Sequence, residues 1–292
     1  MTSAAALRFQ ATISSMPDAT LKSKAIHFLR HHKGPHILLL PNAWDAASAR
    51  MFEASGFSAV GTSSAGIAYS LGYRDGQRIP REEMLAAIGR IARAVATPVN
   101  ADVEAGYGTS PEDVGETVRA LLDAGAVGMN LEDAASDIVL FNLAQQVERV
   151  QAAREAATAA GVPVVINART DVYLMHEEGD AAASFDEALR RLTAYRDAGA
   201  NCLFLPGVRD GNIIARMVRS LGAPLNVLAG PGLPNARDLE NIGVARLSLG
   251  SGPMRAAMGL TRKIARELLE TGTCTAMLDL TIPYREMNEL MR

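Results

Sequence analysis

One segment organises the sequence: Pro98-Val99-Asn100-Ala101-Asp102-Val103-Glu104-Ala105-Gly106-Tyr107-Gly108. Its first half has the composition of a buried strand, and its second half breaks into a Gly-Tyr-Gly turn. Because side chains alternate along a strand, Asp102 and Glu104 leave the same face. Two buried carboxylates on one face need a cation, a base or water beside them. The segment therefore predicts a divalent metal held through oxygen ligands.

Length and composition place the chain in the α/β class. The 292 residues are 48% hydrophobic and only 5% aromatic, which favours helices packed on a parallel sheet over an all-β sandwich. One barrel of alternating strands and helices, typically about 250 residues, accommodates this length. We therefore expect a single domain over residues 1–292, with residues 1–18 as a loose arm and 272–292 as a C-terminal segment.

Charge and cysteine content narrow the partners. The net charge is −3 with both signs interspersed, which argues against nucleic acid and membrane partners. All the lysines lie outside residues 34–262, so a Schiff-base lysine in the site is not expected. Cys202 and Cys274 do not make a disulfide framework, as is typical of the reducing cytoplasm. We expect a cytoplasmic protein that acts on small molecules.

Apolar runs alternate regularly with amphipathic segments from His36 onward. The eight predicted strands cover residues 36–41, 58–63, 98–104, 126–132, 163–169, 202–206, 224–229 and 244–249. The predicted helices cover residues 20–33, 45–55, 81–96, 111–124, 143–160, 184–198, 209–221, 235–241 and 253–271. This alternation predicts a closed (β/α)8 TIM barrel with an extra N-terminal helix and a C-terminal helical segment. An open doubly wound sheet is the alternative.

Catalytic groups of such barrels lie at the C-terminal ends of the strands. There the sequence places the carboxylates of Asp102, Glu104 and Glu132, which repel one another without a cation. An all-oxygen ligand set suits Mg²⁺ or Mn²⁺ better than zinc. Arg169 offers a planar fork for a carboxylate or phosphoryl group, and residues 62–66 (Thr-Ser-Ser-Ala-Gly) form a hydroxyl-rich turn. The expected ligand is small, anionic and chelating.

Other polar residues at strand ends have structural as well as functional interpretations. Asp45 and Asp133 are explained at least as well by helix capping as by catalysis. Trp44 fits a packing residue or a pocket wall. Asn226, at the end of the seventh predicted strand, points to the same rim.

Five segments, in this order, resemble the isocitrate lyase/phosphoenolpyruvate mutase superfamily: Leu40-Pro41-Asn42-Ala43-Trp44-Asp45, Gly61-Thr62-Ser63-Ser64-Ala65-Gly66, Asp102-Val103-Glu104-Ala105-Gly106-Tyr107-Gly108, Asn130-Leu131-Glu132-Asp133 and Asn167-Ala168-Arg169-Thr170-Asp171. The resemblance covers about residues 20–255. It implies a Mg²⁺-dependent barrel that makes or breaks C–C or P–C bonds in α-oxo or α-hydroxy carboxylates through an enolpyruvate-like oxyanion. It also implies a homotetramer whose C-terminal segments pack between subunits.

The same resemblance implies roles for individual residues. Asp102 matches the main metal-anchoring carboxylate, Glu104 stands where the family commonly has aspartate, and Glu132 matches a water-mediated metal ligand. Asp75 matches a further site aspartate, and Arg169 the arginine that contacts the leaving or transferring part. The turn that binds the substrate carboxylate and oxyanion is matched by Ser63, Ser64 and Ala65. Taking the strand-end residues together with this resemblance, we expect the substrate to be bound by Trp44, Ser63, Ser64, Ala65, Asp102, Arg169 and Asn226.

The loop after the fourth strand departs from the family. Isocitrate and methylisocitrate lyases carry a Lys-Lys/Arg-Cys-Gly-His motif there, and the mutases carry a lysine. This chain has neither in Ala134-Ala135-Ser136-Asp137-Ile138-Val139-Leu140, which argues against all three activities. Protonation of an enolate then falls to water or to a tyrosine such as Tyr73 or Tyr107.

The sequence therefore predicts a Mg²⁺-dependent carbon–carbon lyase or decarboxylase acting on a small 2-oxo or 2-hydroxy (di)carboxylate. One alternative is P–C chemistry, either phosphonopyruvate hydrolysis or phosphoenolpyruvate/carboxyphosphonoenolpyruvate mutation. Another is a metabolite-binding barrel that kept the metal site and lost the acid/base loop.

Overall fold

A parallel sheet forms the centre of the computed structural model, which describes residues 20–136, 138–175 and 181–292. The arm predicted at residues 1–18 lies outside the described residues. In chain order the strands of this sheet are β1 (Leu38–Leu40), β2 (Asn42–Ala43), β3 (Val60–Thr62), β4 (Val99–Asp102), β5 (Gly128–Glu132), β8 (Val165–Arg169), β9 (Cys202–Leu205), β10 (Leu225–Leu228) and β11 (Arg246–Ser248). A separate antiparallel hairpin, β6 (Ala134–Ser136) and β7 (Val139–Leu140), follows β5.

Pro41 splits the first predicted strand into two pieces that close the sheet. β1 pairs with β11, and β2 pairs with β3, so the two pieces join opposite ends of the strand order. Proline has no N–H for a ladder, but the carbonyl of Pro41 still accepts a hydrogen bond from Gly61 N at 2.8 Å. The sheet of nine parallel strands is therefore a nearly closed barrel, and the predicted (β/α)8 architecture is confirmed.

Helices surround the barrel. Those predicted from the sequence are α1 (Leu21–His31), α2 (Ala46–Ala54), α4 (Arg81–Ala94), α5 (Pro111–Asp123), α6 (Leu143–Ala159), α8 (Ala181–Asp197), α9 (Gly211–Leu221), α10 (Ala236–Asn241) and α11 (Gly252–Thr271). Four short helices complete the structure: α3 (Ser64–Ser70) and α7 (Val172–Met175), which the sequence pattern missed, and α12 (Thr275–Leu278) and α13 (Tyr284–Leu290), which lie in the predicted C-terminal helical segment. Two of these, α3 and α7, begin directly after strand ends and so contribute to the rim.

Strand side chains point alternately outward, into an apolar layer beneath the helices, and inward, into a polar network inside the barrel. Outward-facing side chains such as Ala101, Met129 and Ile166 pack with the helices in one large apolar cluster. The positions between them carry asparagine, namely Asn100, Asn130 and Asn167, and their side chains bond one another inside the barrel. This alternation is the period of two that a strand imposes.

The N-terminal end of the barrel is covered by α1. Phe28 on this helix is fully buried in a second apolar cluster with residues of β1 and the starts of β5 and β8, among them Leu38, Val127 and Val165. Thr20 caps the helix by accepting a hydrogen bond from Ser23 N. Because this end is filled, the C-terminal ends of the strands form the end that a ligand can reach.

No helix within residues 20–136, 138–175 and 181–292 is long and apolar enough to cross a membrane. At the C-terminus, the Glu267 carboxylate accepts hydrogen bonds from the backbone of Thr275 and Ala276, which turns the chain from α11 into α12. The final helix, α13, then contacts α2.

Candidate active site

An open cavity of about 490 Å³ lies over the C-terminal ends of the strands. Its polar lining includes Ser64 and Asp75 from the segment after β3, Glu104 from the loop after β4, and Glu132 and Arg169 from the ends of β5 and β8. Its remaining wall comes from α3, α7, β6 and the turn after α3, and includes Tyr69, Arg74, Gln77, Ala134, Ala135, Ser136, Asp171, Leu174 and Met175. The cavity is within the usual size range of small-molecule sites.

Asp102 is buried at the end of β4 and held by three donors. Its Oδ2 accepts hydrogen bonds from Ser64 N at 3.0 Å and Ser64 Oγ at 2.8 Å, and its Oδ1 accepts one from Asn130 Nδ2 at 3.1 Å. The backbone N–H of Asp102 donates to Thr62 Oγ1 at 2.8 Å. The first turn of α3 and the neighbouring strand β5 therefore fix the direction of this carboxylate.

Glu104 lies in a strained stretch of backbone. Its φ is 51°, and Gln77 and Tyr107 also have left-handed φ values of 55° and 58°. The three residues are linked, because Gln77 N donates to Glu104 Oε2 and Tyr107 N donates to Gln77 Oε1 at 2.7 Å. Glu104 Oε1 is buried without a hydrogen-bond partner among the described residues. Strained non-glycine residues of this kind cluster at functional sites.

Glu132 and Arg169 are partners across the sheet. The parallel register of β5 and β8 places them side by side, and Arg169 Nη1 lies 2.5 Å from Glu132 Oε2. The other side of the guanidinium is bound by Asp171, with Nε 2.5 Å from Oδ1 and Nη2 2.8 Å from Oδ2. Asp171 therefore binds the guanidinium through two hydrogen bonds and Glu132 through one contact, and together they hold Arg169 at the cavity wall.

Asp133 is a buried junction behind this pair. Its carboxylate accepts hydrogen bonds from Thr170 Oγ1, the Asp171 backbone, Arg191 Nη1 and Tyr195 Oη, at 2.7, 3.0, 3.1 and 2.7 Å. These donors come from the end of β8 and from α8. Asp133 therefore fixes the loop that carries Asp171, and it neither caps a helix nor lines the cavity.

The carboxylates at the rim change one another's protonation. Burial, followed by the charges of Asp102 and Asp75, raises the pKa of Glu104 to about 7. Burial raises the pKa of Glu132 well above its ordinary value, although Arg169 opposes this. Burial also raises the pKa of the Tyr107 hydroxyl, and the nearby charges of Glu104 and Asp102 add to the effect. Such a site gains stability from a cation.

The predicted metal ligands are only partly arranged to hold a cation. Among the described residues, no group of three or more His, Cys, Asp or Glu side chains is arranged to hold a metal ion directly. Glu132 is engaged by Arg169 instead. Asp102 and Glu104 are both buried at the rim, and Glu104 Oε1 has no hydrogen-bond partner among the described residues.

The other predicted residues divide into two sets. Ser64 contacts Asp102, and Asp75 lines the cavity. Ser63 is the N-cap of α3, with its Oγ accepting from Gly66 N at 3.1 Å, and Ala65 is buried in the first turn of that helix. Asp45 caps α2 in a capping box, which agrees with the structural interpretation.

Three more predicted residues are absent from the cavity lining, besides Asp102, Ser63 and Ala65. The Tyr73 hydroxyl donates to Glu83 Oε1 at 2.9 Å on the outside of the barrel. Trp44 packs against the core beside Gly66, where an added Cβ would lie 3.0 Å from Trp44 Cβ. Asn226 is fully buried inside the barrel and accepts a hydrogen bond from Ser248 Oγ at 3.2 Å.

Residues that the sequence patterns did not single out complete the site. Gln77 connects the loop after α3 to Glu104, and Asn130 connects Asp102 to the barrel interior. The asparagines do carry a signal, because β4, β5 and β8 each have one at a buried position, where apolar residues are the rule. Gln77 carries no such sequence signal, because its contact with Glu104 depends on the conformation of the turn after α3.

Comparison with known proteins decides the family. Residues 28–269 match the family model described as phosphoenolpyruvate phosphomutase. The chain belongs to the isocitrate lyase/phosphoenolpyruvate mutase superfamily. Members of this superfamily are lyases and mutases, so the chain is placed among enzymes.

Sequence and structure relatives agree with this membership. An uncharacterized protein of Mycobacterium tuberculosis H37Rv is 34% identical over 263 residues, covering 90% of this chain and 94% of its own. A crystal structure of a candidate lyase/mutase from Burkholderia cenocepacia J2315 is 38% identical, with a TM-score of 0.86 and coverage of 92% and 96%. The structure of 2,3-dimethylmalate lyase is 26% identical, with a TM-score of 0.82 and coverage of 92% and 95%.

More distant superfamily members have assigned activities. A 2-methylisocitrate lyase of Salmonella typhimurium is 26% identical and an oxaloacetate decarboxylase of Pseudomonas fluorescens is 27% identical, covering 86% and 82% of this chain and 87% and 81% of their own. Together with 2,3-dimethylmalate lyase, these relatives support a lyase of the superfamily that breaks carbon–carbon bonds in carboxylates.

Proposed function

We propose that this protein is a divalent-metal-dependent lyase or decarboxylase that breaks a carbon–carbon bond in a small 2-oxo or 2-hydroxy (di)carboxylate through an enolpyruvate-like intermediate. The observation that carries the proposal is the meeting of Glu104, Glu132 and Arg169 at one cavity, beside the buried Asp102 that Ser64 of the cavity wall holds. Oxaloacetate and alkylmalates are the first candidate substrates, because relatives act on acids of these kinds.

The residues present fit a divalent cation with oxygen ligands. Glu104 Oε1 is buried and has no partner among the described residues, and burial, followed by the charges of Asp102 and Asp75, raises the pKa of Glu104 to about 7. Asp102 and Glu104 would hold the ion, with Glu132 reaching it through water, which suits Mg²⁺ or Mn²⁺ because these ions retain water ligands. A bound ion of this kind supplies Lewis-acid stabilisation of negative charge on a substrate oxygen.

The chain itself supplies two groups for the anionic parts of a substrate. Asp171 binds two guanidinium nitrogens of Arg169, which leaves Nη1 as the nitrogen that can contact a carboxylate when Glu132 turns toward a cation. In the turn before α3, the amides of Ser64 and Gly66 are already used. The Ala65 N–H has no hydrogen-bond partner among the described residues, so it is available for a substrate oxygen.

Carbon–carbon cleavage leaves an electron pair on the carbon beside the carbonyl, and this enolate must take a proton. The described residues that line the cavity include no Cys, Lys or His. Tyr73 bonds Glu83 away from the cavity, whereas the Tyr107 hydroxyl is buried close to Glu104 and Asp102. Burial and these charges raise its pKa and keep its proton in place. We assign the protonation to water or Tyr107.

The first test is a pyruvate-release assay over oxaloacetate, phosphonopyruvate, methylisocitrate and alkylmalates, each with Mg²⁺ and with excess chelator. Release from one acid that stops with chelator supports the proposal. Asp102→Ala should abolish both turnover and Mg²⁺ binding and leave the barrel folded. Asp45→Ala is the matched control, because Asp45 only caps α2 and its loss should leave turnover intact. Unchanged turnover in Asp102→Ala would contradict the metal assignment.

Phosphorus–carbon chemistry is the second candidate. The match to the phosphoenolpyruvate phosphomutase model favours it, and the Arg169 fork suits a phosphoryl group. Release of inorganic phosphate with pyruvate from phosphonopyruvate alone would select this candidate. Mg²⁺ binding without turnover of any acid would instead select a mutase or a metabolite-binding barrel.

A further inference from the structure

A positively charged side chain, that of Arg246, is buried inside the barrel. Arg246 on β11 has no exposed surface, and its guanidinium reaches across the interior to the opposite strands. Its Nη1 lies 3.3 Å from Asn100 Oδ1, and its Nη2 lies 3.2 Å from Asn130 Oδ1. Burial lowers the pKa of Arg246 to about 10, so it stays charged at neutral pH. None of the ion pairs among the described residues includes it.

Asn130 connects this cation to the rim. Its Oδ1 accepts hydrogen bonds from Asn100 Nδ2 at 3.1 Å, Asn167 Nδ2 at 2.8 Å and Arg246 Nη2 at 3.2 Å. Its Nδ2 donates to Asp102 Oδ1 at 3.1 Å. One amide group therefore lies between the buried guanidinium and the carboxylate that the proposed function uses as its metal anchor.

The direction of these hydrogen bonds follows from Arg246. An asparagine amide can turn over and exchange its donor for its acceptor, but a guanidinium has donors only. Each asparagine that contacts Arg246 must therefore present its oxygen to it. Asn130 then has only its N–H group left for Asp102.

The reversed orientation of Asn130 is unfavourable at both ends. It would place Oδ1 against the Asp102 carboxylate and an N–H against the guanidinium, and a buried polar group left without a partner costs about 1–3 kcal/mol. Without the cation, only the Asp102 carboxylate would oppose reversal, because the contacts of Asn130 with Asn100 and Asn167 join amides that can each donate or accept. Arg246 therefore fixes the direction of the Asn130 amide from the interior side, where the contacts among the asparagines alone do not.

We infer that Arg246 is a positioning residue of the active site, which sets the orientation of the Asn130 amide and through it the Asp102 carboxylate. The inference rests on the proposed function, because Asp102 matters as a metal anchor only there. A packing role alone would not require a guanidinium. Well-packed apolar residues of similar volume often replace buried charges without loss of stability.

The test compares Mg²⁺ affinity, measured by isothermal titration calorimetry on the full chain, in Arg246→Met and Arg246→Lys. Changes to residues that orient metal ligands typically reduce affinity about 10–100-fold, and we expect a loss of this size in Arg246→Met. We expect Arg246→Lys to recover part of the affinity, because an ammonium group is also a donor only. Saturating Mg²⁺ should restore turnover in Arg246→Met, which places the defect in metal binding.

Two further variants keep the test informative. Asn130→Asp retains an acceptor for Arg246 but has no N–H for Asp102, so it should fold and still lose Mg²⁺ affinity. Arg154→Met is the matched control, because Arg154 donates to the carbonyls of Gly199 and Val164, away from Asp102. Its Mg²⁺ affinity should equal that of the unaltered protein even if its unfolding temperature falls.

Two outcomes would overturn the inference in distinguishable ways. Equal Mg²⁺ affinity in the unaltered protein, Arg246→Met and Asn130→Asp would remove the positioning role and leave the proposed function standing. Absence of Mg²⁺ binding by the unaltered protein would overturn the proposed function, and the positioning role with it.

Discussion

Gln77, Glu104 and Tyr107 combine backbone strain with direct contact at the cavity rim. Left-handed backbone at such residues costs about 1–3 kcal/mol each, and the hydrogen bonds through Gln77 hold all three in place. The same contacts leave Glu104 Oε1 buried and free of hydrogen bonds to described residues. The strain therefore directs a carboxylate oxygen into the position where the proposed cation needs a ligand.

His32, at the opposite end of the barrel, has a strongly shifted pKa. The residue is buried, and its Nδ1 donates to the Phe28 carbonyl at 2.9 Å. Burial is the main cause that lowers the pKa of His32 to about 3, and the positive charge of Arg246 adds to it. The folded protein therefore keeps His32 neutral at pH values where an unfolded chain binds a proton.

This shift predicts an acid-dependent loss of stability. Below the unfolded pKa of about 6.5 the unfolded state binds a proton that the folded state does not, so the unfolding free energy falls as pH decreases toward about 3. The measurement is urea unfolding of the unaltered protein and His32→Gln at several pH values from about 7 to about 5. The unaltered protein should lose up to about 1.4 kcal/mol more per pH unit below pH 6.5.

The difference between the unaltered protein and His32→Gln isolates the effect of His32, because the carboxylates of the rim are the same in both proteins. Parallel pH profiles would contradict a neutral buried His32. A steeper profile for His32→Gln would contradict the direction of the shift.

At the scale of elements, the contact of α1 with β5 depends on a glycine. Gly128 lies where the Phe28 ring enters the barrel, and an added Cβ there would lie 2.6 Å from Phe28 Cε1 and 2.8 Å from Asn100 Oδ1. These distances leave no room for a methyl group. The absence of a side chain at Gly128 therefore lets α1 close the N-terminal end of the barrel.

Gly128→Ala should destabilise the protein by about 1–3 kcal/mol, because the methyl group must displace Phe28 or Asn100 from a packed core. Urea unfolding monitored by circular dichroism gives the change in free energy. Gly115→Ala on α5 is the matched control, because its Cβ would meet its nearest atom, Arg119 Nη1, at 3.6 Å. That change should be neutral or stabilising by up to about 1 kcal/mol. Unchanged stability in Gly128→Ala would contradict the close packing.

At the scale of the whole molecule, the C-terminal segment from α11 to α13 carries apolar side chains that the described residues leave exposed. The exposed fractions are 58% for Leu268, 87% for Leu269, 65% for Leu278, 68% for Leu280 and 86% for Tyr284. Exposed apolar surface of this kind marks interaction sites. We propose, in line with the expectation from the family resemblance, that α11–α13 pack between subunits of a homotetramer.

Leu269→Glu should shift the assembly toward smaller species, because it places a charge in an apolar interface. Analytical ultracentrifugation measures the masses of the unaltered and altered proteins. Thr261→Glu, an exposed polar position on the same helix, is the control for added charge and should keep the assembly. A monomeric unaltered protein would refute the proposal.

The sequence alone determined the parts of this protein that depend on local pattern. Alternating apolar runs indicated the barrel, and helix capping explained Asp45. Strand ends and the loops after them indicated Glu104, Glu132 and Arg169, which line the cavity, and the buried Asp102 beside them. These features depend on the periods of strands and helices and on the rule that barrel strands present their ends at one rim.

Only the tertiary structure decided which of these residues meet and what holds them. Arg246 contacts Asn130 across 116 positions of sequence and Asn100 across 146, and closure of the barrel brings them together. Turn geometry directed Tyr73 to Glu83 and left Tyr107 beside the carboxylates. Such contacts depend on the register of distant strands and on the conformations of the turns between them, and neither has a period that a sequence displays.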